Sequence, residues 1–213
     1  MIHDNGVVDA ILLILILIPS VILHEVAHGW VANRLGDPTA RDAGRLTLDP
    51  LRHIDPFGSL LLPGMLALAG QNVFGWAKPV PVQPRNFQSP VGGMAITALA
   101  GPATNLLIAF GFARFGPFQD MGEFIRLTSP GLLPSFLFGV VVVNVALAVF
   151  NMLPIPPLDG SRLVPLVLPP EGRRIFDQIS QFGFLILVVL LFVFEGALAF
   201  LGDWIRWLVF LLV

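Results

Sequence analysis

The sequence predicts an all-α integral membrane protein with five to six transmembrane segments, a short extended proline-rich segment and one helix broken beside polar residues. Of its 213 residues, 55% are hydrophobic and only 12% are charged, whereas about 25% are charged in an ordinary soluble domain. The mean hydropathy of +0.83 agrees with this composition. Because no internal repeat or soluble region is evident, we expect residues 1–213 to form a single transmembrane domain.

The apolar segments follow from the length that a membrane requires. A helix needs roughly 20 mostly apolar residues to cross about 30 Å of hydrocarbon. The shorter stretch 54–69 can be tilted or re-entrant. Trp204 and Trp207 are expected to lie at headgroup depth, which makes 204–213 an interfacial or partial span. In chain order, the predicted segments are 7–35, 54–69, 91–113, 132–150, 182–201 and the half-length 204–213.

The charge balance gives no sign of nucleic-acid binding. With 12 basic and 14 acidic side chains the formal net charge is −2, so we expect the partners to be the lipid bilayer and membrane proteins, with no nucleic acid. The loop 34–53 holds four of the 12 basic residues, which places it in the cytoplasm by the positive-inside rule. The sequence indicates no oligomeric state.

Two proline-rich connectors interrupt the helical pattern. The stretch GWAKPVPVQPRNF, from Gly75 to Phe87, contains three prolines and is predicted to be extended. The stretch NMLPIPPLDGSRL, from Asn151 to Leu163, breaks the chain directly after the segment 132–150. Irregular backbone at membrane depth is tolerated only where protein or a water-filled cavity covers it. The second connector is therefore a candidate for a functional site.

A metal-ligand pattern lies inside the first apolar segment, where the chain reads HEVAH. His24 and His28 are four residues apart, so on a helix they share one face and can meet one metal ion, with Glu25 beside them as a general base. Each of these side chains costs about 2–3 kcal/mol to insert into the bilayer. Three of them together therefore predict a function, and the HExxH spacing predicts zinc.

A third zinc ligand is required, because catalytic zinc sites commonly use three protein ligands. Since the chain has no cysteine, this ligand must be a histidine or a carboxylate. We favour Asp159, which precedes Gly160 at the proline-rich break just past a long apolar segment. The remaining candidates lie in the polar stretch after the first segment and are Asp37, Asp42, Asp49, His53 and Asp55.

The paired motifs resemble those of the site-2 protease family of intramembrane zinc metalloproteases. HEVAH matches its first motif, and NMLPIPPLDG matches its second at Asn151, Pro154, Leu158, Asp159 and Gly160. The AGPATN and GWAKPVPV stretches add support, and the likeness runs from the first segment to about Pro170. It implies a compact bacterial member that lacks a PDZ or nucleotide-sensing domain. It also implies a multi-pass location in the bacterial cell (inner) membrane.

The resemblance implies which residues act and on what. One Zn²⁺ per chain would be held by His24, His28 and Asp159, with Glu25 as catalytic base and Asn151 near the active site. The substrates would be single-span transmembrane proteins, cleaved within or near their membrane segments. Asn151 would either donate to the developing oxyanion or serve a helix end.

Several polar or proline-rich stretches have secondary roles in this interpretation. The segment from Gly75 to Phe87 either pairs with an unwound substrate as an added β-strand or is a rigid connector. In the AGPATN stretch, Gly101, Pro102 and Asn105 are expected to permit close helix packing rather than to take part in catalysis. Asn144 is expected to make an interhelical hydrogen bond.

Glu195 and the overall function each allow two interpretations. Glu195 either lines a water path or snorkels to the interface. A metal permease is the rival function, and it differs from the protease in predicting that Glu25 is dispensable.

Overall fold

A computed structural model describes residues 6–61, 65, 68, 76–115, 132–192, 196 and 199–213. Within these residues the chain is helical and contains no β-strand. Four single-turn elements occur in the connectors: 3₁₀ turns at Pro50–Arg52, Pro84–Asn86 and Asp159–Leu163, and a π-helical turn at Pro56–Leu61. The α-helices are α1 (Gly6–Arg34), α2 (Thr39–Asp42), α3 (Pro90–Phe115), α4 (Leu132–Asn151), α5 (Val164–Val167), α6 (Pro170–Ser180), α7 (Gly183–Phe192) and α8 (Ala199–Leu212).

Two of these helices are long and apolar enough to cross a membrane. They are the stretches Val8–Arg34 of α1 and Pro90–Arg114 of α3, and a shorter apolar stretch, Ser135–Asn151, lies in α4. The predicted segments 7–35, 91–113 and 132–150 therefore coincide with helices. Residues 62–64, 66, 67 and 69 of the predicted segment 54–69 fall outside the described residues, as do Gly75 and Glu195.

The predicted boundary between the last two segments is wrong. Residues 199–201 were expected to end the segment 182–201, but they form the first turn of α8. Gly196 precedes this turn with a φ of +89°, a left-handed conformation that glycine adopts without steric cost. A glycine turn therefore separates α7 from α8, and α8 is longer than the half-segment 204–213 that was predicted.

Helices α1, α3 and α4 pack together, and α8 covers part of this group. Ala109 of α3, Val141 and Val145 of α4 and Val209 of α8 form one buried cluster. A second cluster joins Leu153 and Leu158 of the proline-rich break to Leu187 and Leu201. These clusters fix the end of α4 and the break that follows it.

The opposite face of α1 exposes large apolar side chains. Ile11, Leu13, Ile14 and Leu15 are each between 50% and 56% exposed. Contiguous apolar surface of this kind is rare on a soluble monomer. It is what a lipid-facing helix presents.

Residues 76–87, here called the strap, run beside α1 and contain no regular secondary structure except the 3₁₀ turn at Pro84–Asn86. Lys78 N–H donates to His53 O at 2.9 Å, and Arg45 Nη2 donates to Lys78 O at 2.7 Å. Gln83 has extended dihedral angles of −110° and 105°, and its N–H donates to Asp37 Oδ2 at 2.7 Å. The prediction of a non-helical segment is confirmed for residues 76–83, which pair with no strand among the described residues, but it is wrong for Pro84–Asn86, which forms a 3₁₀ turn.

Candidate metal centre

Helix α1 supplies two imidazoles that face each other. His24 and His28 lie one helical turn apart, and their Nε2 atoms are 3.0 Å apart. Both side chains are buried. The i, i+4 spacing therefore produces the juxtaposition that the sequence predicts.

Asp159 reaches the same point from the proline-rich break. Its Oδ2 lies 3.1 Å from His24 Nε2 and 3.3 Å from His28 Nε2. Gly160 makes this approach possible, because a Cβ there would collide with the backbone of Met152, the residue that follows α4. The chain thus folds back closely on itself, and this turn aims Asp159 at the imidazoles.

The chemistry of the three atoms fits a bound cation. His28 Nδ1 meets the backbone carbonyl of Thr97 at 2.7 Å, and His24 Nδ1 meets Asn105 Oδ1 at 2.6 Å. Since both partners are acceptors, both Nδ1 atoms carry the ring hydrogen and both Nε2 atoms present lone pairs. Asp159 Oδ2 is buried and accepts no hydrogen bond from a described residue. Three lone-pair atoms with no hydrogen between them repel one another unless a cation lies among them.

The spacing of these atoms matches zinc. Tetrahedral ligands at 2.0–2.1 Å from zinc are about 3.3 Å from one another, and the observed separations are 3.0, 3.1 and 3.3 Å. Two imidazoles and a carboxylate are a common donor set for catalytic zinc, which leaves a fourth position open. The residues present therefore fit the metal that the sequence predicts.

Glycine at position 101 lets α3 approach the imidazoles. A Cβ on Gly101 would lie 2.5 Å from His24 Nε2 and 2.5 Å from His28 Nε2. Only a residue without a side chain fits there. The close helix packing expected at Gly101 is confirmed.

Glu25 lies next to His24 and contacts the strap. Its Oε2 accepts a hydrogen bond of 2.8 Å from Val80 N–H, and its other oxygen accepts none from a described residue. Val80 comes this close because Gly29 leaves room for it: a Cβ on Gly29 would be 2.9 Å from Val80 Cγ1. The carboxylate is thus oriented by one oxygen, and the second oxygen keeps its lone pairs.

Asn151 lies at the last position of α4. Its Nδ2 donates to Leu147 O at 3.0 Å, one turn back along the helix. One amide hydrogen therefore serves the helix end, as one of the two interpretations of Asn151 expected. No contact of Asn151 with the three converging side chains is found among the described residues.

The other candidate ligands do not meet the two imidazoles, and local contacts account for each of them. Asp42 pairs with Arg41 at 2.9 Å, while His53 Nε2 bonds Thr47 O at 2.9 Å. Asp49 accepts from Leu51 N–H, and Asp55 accepts from Gly58 N–H, so both cap single-turn elements. Of the six candidates, Asp159 is the one that the structure brings to the histidines.

Asp37, the remaining candidate, is a buried anchor for the strap. It accepts hydrogen bonds from the backbone N–H of Gln83, from Asn86 Nδ2 and from Thr39 Oγ1. Burial alone would raise the pKa of Asp37, but these hydrogen bonds to the charged form outweigh burial and hold the pKa below its ordinary value. Asp37 therefore fixes the strap as a carboxylate.

Two partners of the histidines were missed by sequence reasoning. The carbonyl of Thr97 leaves no signal, because every residue has one. Asn105 was assigned to packing, although a buried amide in an apolar helix is itself a sign that a polar partner is near. The interhelical hydrogen bond expected of Asn144 is confirmed, since its Oδ1 accepts from Asn105 Nδ2 at 2.8 Å.

Comparison with known proteins identifies relatives of this chain. Residues 115–194 match the model of peptidase family M50. YwhC of Bacillus subtilis, which its name provisionally assigns as a zinc metalloprotease, is 40% identical over 197 residues, 92% of this chain and 84% of YwhC. Rip2 of Mycolicibacterium smegmatis, with the same provisional assignment, is 37% identical over 81% of this chain and 63% of its own. No solved structure matches the chain significantly. By its likeness to YwhC over nearly its whole length, the chain belongs to peptidase family M50, the site-2 protease family.

Proposed function

We propose that this chain is an intramembrane zinc metalloprotease that hydrolyses peptide bonds within or near the transmembrane segments of single-span membrane proteins. The observation that carries the proposal is the convergence of His24, His28 and Asp159, with Glu25 next in sequence to the first of them. A carboxylate beside a His/His/Asp set is suited to hydrolysis. Family membership and the names of the relatives support the same activity.

The residues of the site have two different roles, metal binding and proton transfer. His24, His28 and Asp159 would hold zinc, which supplies Lewis-acid polarisation of the scissile carbonyl and acidifies water. Glu25 accepts a proton from the attacking water as the carbon–oxygen bond forms. It returns this proton to the amide nitrogen as the carbon–nitrogen bond breaks. Val80 N–H keeps the carboxylate oriented throughout.

Asn151 is proposed as a donor to the oxyanion. One of its two amide hydrogens is used by Leu147 O, and the other, which is donated to no described residue, would bond the substrate. A single donor of this kind contributes about 3 kcal/mol to the transition state.

The strap is proposed as the surface that receives the unwound substrate. A transmembrane helix hides its carbonyls in its own hydrogen bonds, so it must open locally before attack. The backbone N–H groups of Lys78 and Val80 donate hydrogen bonds to His53 O and Glu25 Oε2. The N–H of Val82 makes no hydrogen bond with a described residue. An extended substrate pairing with Val82 would lie two residues beyond the contact to Glu25.

The chain is proposed to cross the bacterial cell membrane five to six times, with the loop after α1 in the cytoplasm. The exposed apolar face of α1 and the length of α3 support membrane insertion. Because the chain has no cysteine, a single Arg41→Cys variant can be labelled without background. We expect a membrane-impermeant maleimide to label this cysteine only after the cell membrane is permeabilised. Labelling in intact spheroplasts would contradict this orientation.

Glu25→Gln tests the activity. The purified protein in detergent is incubated with a panel of single-span membrane proteins, with and without a zinc chelator, and products are mapped by mass spectrometry. Wild type should cleave in a chelator-sensitive way, and Glu25→Gln should bind zinc without cleaving. Glu171→Gln, which neutralises an exposed carboxylate in the first turn of α6, is the matched control and should cleave normally.

The same variants separate the protease from a metal permease. Undiminished proteolysis by Glu25→Gln would remove Glu25 from the mechanism. Zinc uptake into proteoliposomes that is retained in Glu25→Gln, with no cleavage by wild type, would favour the permease.

A further inference from the structure

A line of buried hydrogen bonds leads from the metal centre through three helices. His24 Nδ1 on α1 meets Asn105 Oδ1 on α3 at 2.6 Å, and Asn105 Nδ2 donates to Asn144 Oδ1 on α4 at 2.8 Å. Asn144 Nδ2 donates in turn to Val140 O and to Ser20 Oγ, each at 2.9 Å. Both asparagines are completely buried. Since burial of an unpaired amide is costly, the full set of bonds must form together.

The far end of this line determines the orientation of every group in it. Val140 O is a backbone carbonyl and can only accept, so the amide nitrogen of Asn144 must face it. Asn144 Oδ1 then faces Asn105, which must present its own nitrogen there. Asn105 Oδ1 is left for His24, whose Nδ1 must therefore carry the ring hydrogen.

Ser20 applies the same constraint from α1. Its hydroxyl donates to Ile16 O at 2.8 Å, so its oxygen is an acceptor for Asn144 Nδ2. Two independent acceptors thus face the amide nitrogen of Asn144. A flipped amide would bring its oxygen against both of them.

We infer that Asn144 and Asn105 are positioning residues of the metal centre, which set the tautomer and ring orientation of His24 so that its Nε2 lone pair points at Asp159. Asn144 acts from α4 through Asn105 and does not itself touch His24. The inference rests on the metal centre of the proposed function. Outer partners of metal-ligating imidazoles are typically worth 10–100-fold in metal affinity.

His28 differs from His24 in this respect. Its Nδ1 hydrogen is donated to the carbonyl of Thr97, part of the α3 backbone. A backbone carbonyl can only accept a hydrogen bond, and no side-chain substitution turns it into a donor. The tautomer of His24 is therefore the one that depends on side chains, and substitutions should affect it selectively.

Asn144→Leu tests the inference, with Val145→Ala as the matched control. Both positions are fully buried in α4, so both variants disturb the same helix interface. Only the first removes Asn144 Oδ1, which at 2.8 Å is the nearer of the two oxygens that accept from Asn105 Nδ2; the other, Ser20 O, lies 3.5 Å away. In each purified protein, zinc affinity is measured by competition with a chelator. The histidine ring ¹⁵N chemical shifts are measured in the metal-free protein. The pH for this measurement is about two units above the ordinary histidine pKa of about 6.5, so that ordinary imidazoles are neutral. The His24 signals are assigned by their loss in His24→Ala.

The expected results separate positioning from packing. In wild type, His24 is protonated at Nδ1. In Asn144→Leu, a second tautomer of His24 should appear and zinc affinity should fall by about 10–100-fold. Val145→Ala should lower the melting temperature and leave both the tautomer and the zinc affinity unchanged.

Three results would overturn the inference: Nε2-protonated His24 in wild type, wild-type zinc affinity in Asn144→Leu, or equal affinity losses in Asn144→Leu and Val145→Ala. The wild-type spectrum requires no variant, and Asn105→Ala replaces Asn144→Leu if the latter does not fold. Failure of the wild type to bind zinc would instead overturn the proposed function. The tautomer of His24 would then still test the inference.

Discussion

Gly101→Ala is expected to damage the metal centre while leaving helix α3 intact. The added Cβ would lie 2.5 Å from His24 Nε2 and 2.5 Å from His28 Nε2. Non-bonded heavy atoms are ordinarily about 3.5–4.0 Å apart. Either α3 or the two imidazoles must therefore move by about 1 Å.

The size of the effect follows from this displacement. Overpacking of a close-packed site costs about 1–3 kcal/mol, and alanine regains about 0.5–1 kcal/mol over glycine in a helix interior. The net destabilisation is therefore about 0–2.5 kcal/mol, which the fold can tolerate. Function is affected more strongly, because misplacement by about 1 Å can cost on the order of 100-fold in rate.

Gly111→Ala is the matched control, because it makes the same substitution in the same helix. A Cβ on Gly111 has no atom within 4 Å, so this variant should be about 0.5–1 kcal/mol more stable than wild type. Zinc affinity, melting temperature in detergent and cleavage of a panel substrate are measured for both variants. Wild-type zinc affinity and cleavage in Gly101→Ala would refute the reasoning.

Three further predictions concern the strap, the oxyanion and acid stability. Val82→Pro should reduce cleavage while leaving zinc affinity and melting temperature unchanged, and unchanged cleavage would favour the rigid connector. Asn151→Ala should raise the activation free energy by about 3 kcal/mol, which lowers kcat about 100-fold, and should leave zinc affinity unchanged. A wild-type rate would contradict the role of Asn151 as oxyanion donor. Because the pKa of Asp37 is lowered in the folded state, its stabilising contribution is complete above about pH 4 and is lost as pH falls through the folded pKa. Asp37→Asn should therefore flatten the pH dependence of the melting temperature below about pH 4, and an unchanged slope would contradict this.

The parts of the site that could be predicted from sequence are those governed by local periodicity. The spacing of His24 and His28 determines their shared face, because any α-helix brings residues i and i+4 together. Asp159 was favoured for its position at the proline-rich break. Five other polar residues remained possible, because sequence does not show which loop returns to α1.

The partners of His24 could not be predicted for a related reason. Whether Asn105 faces a neighbouring helix backbone or an imidazole depends on the rotation of α3 about its axis, which the packing at Gly101 determines. An apolar helix has only a weak amphipathic pattern, so its sequence does not predict which face of the helix is turned toward α1. Asn144 was correctly expected to bond another helix, but its partner could be identified only from the structure.

The helices show the same division between local and long-range information. The extents of α1, α3 and α4 were predicted within a few residues, since apolar length is a property of the sequence itself. The start of α8 was misplaced because a run of apolar residues continues across the turn at Gly196. Only the backbone conformation of Gly196 shows that the chain turns there.

The central claim is that two imidazoles and one carboxylate hold a single zinc ion, and X-ray absorption at the zinc edge of the purified protein tests it most directly. We expect one zinc per chain, with two histidine nitrogens at about 2.0–2.1 Å and carboxylate oxygen at about 2.0–2.2 Å. Asp159→Ala should lose the protein oxygen ligand from this shell. A protein without zinc, or a zinc shell that is the same in wild type and Asp159→Ala, would contradict the account.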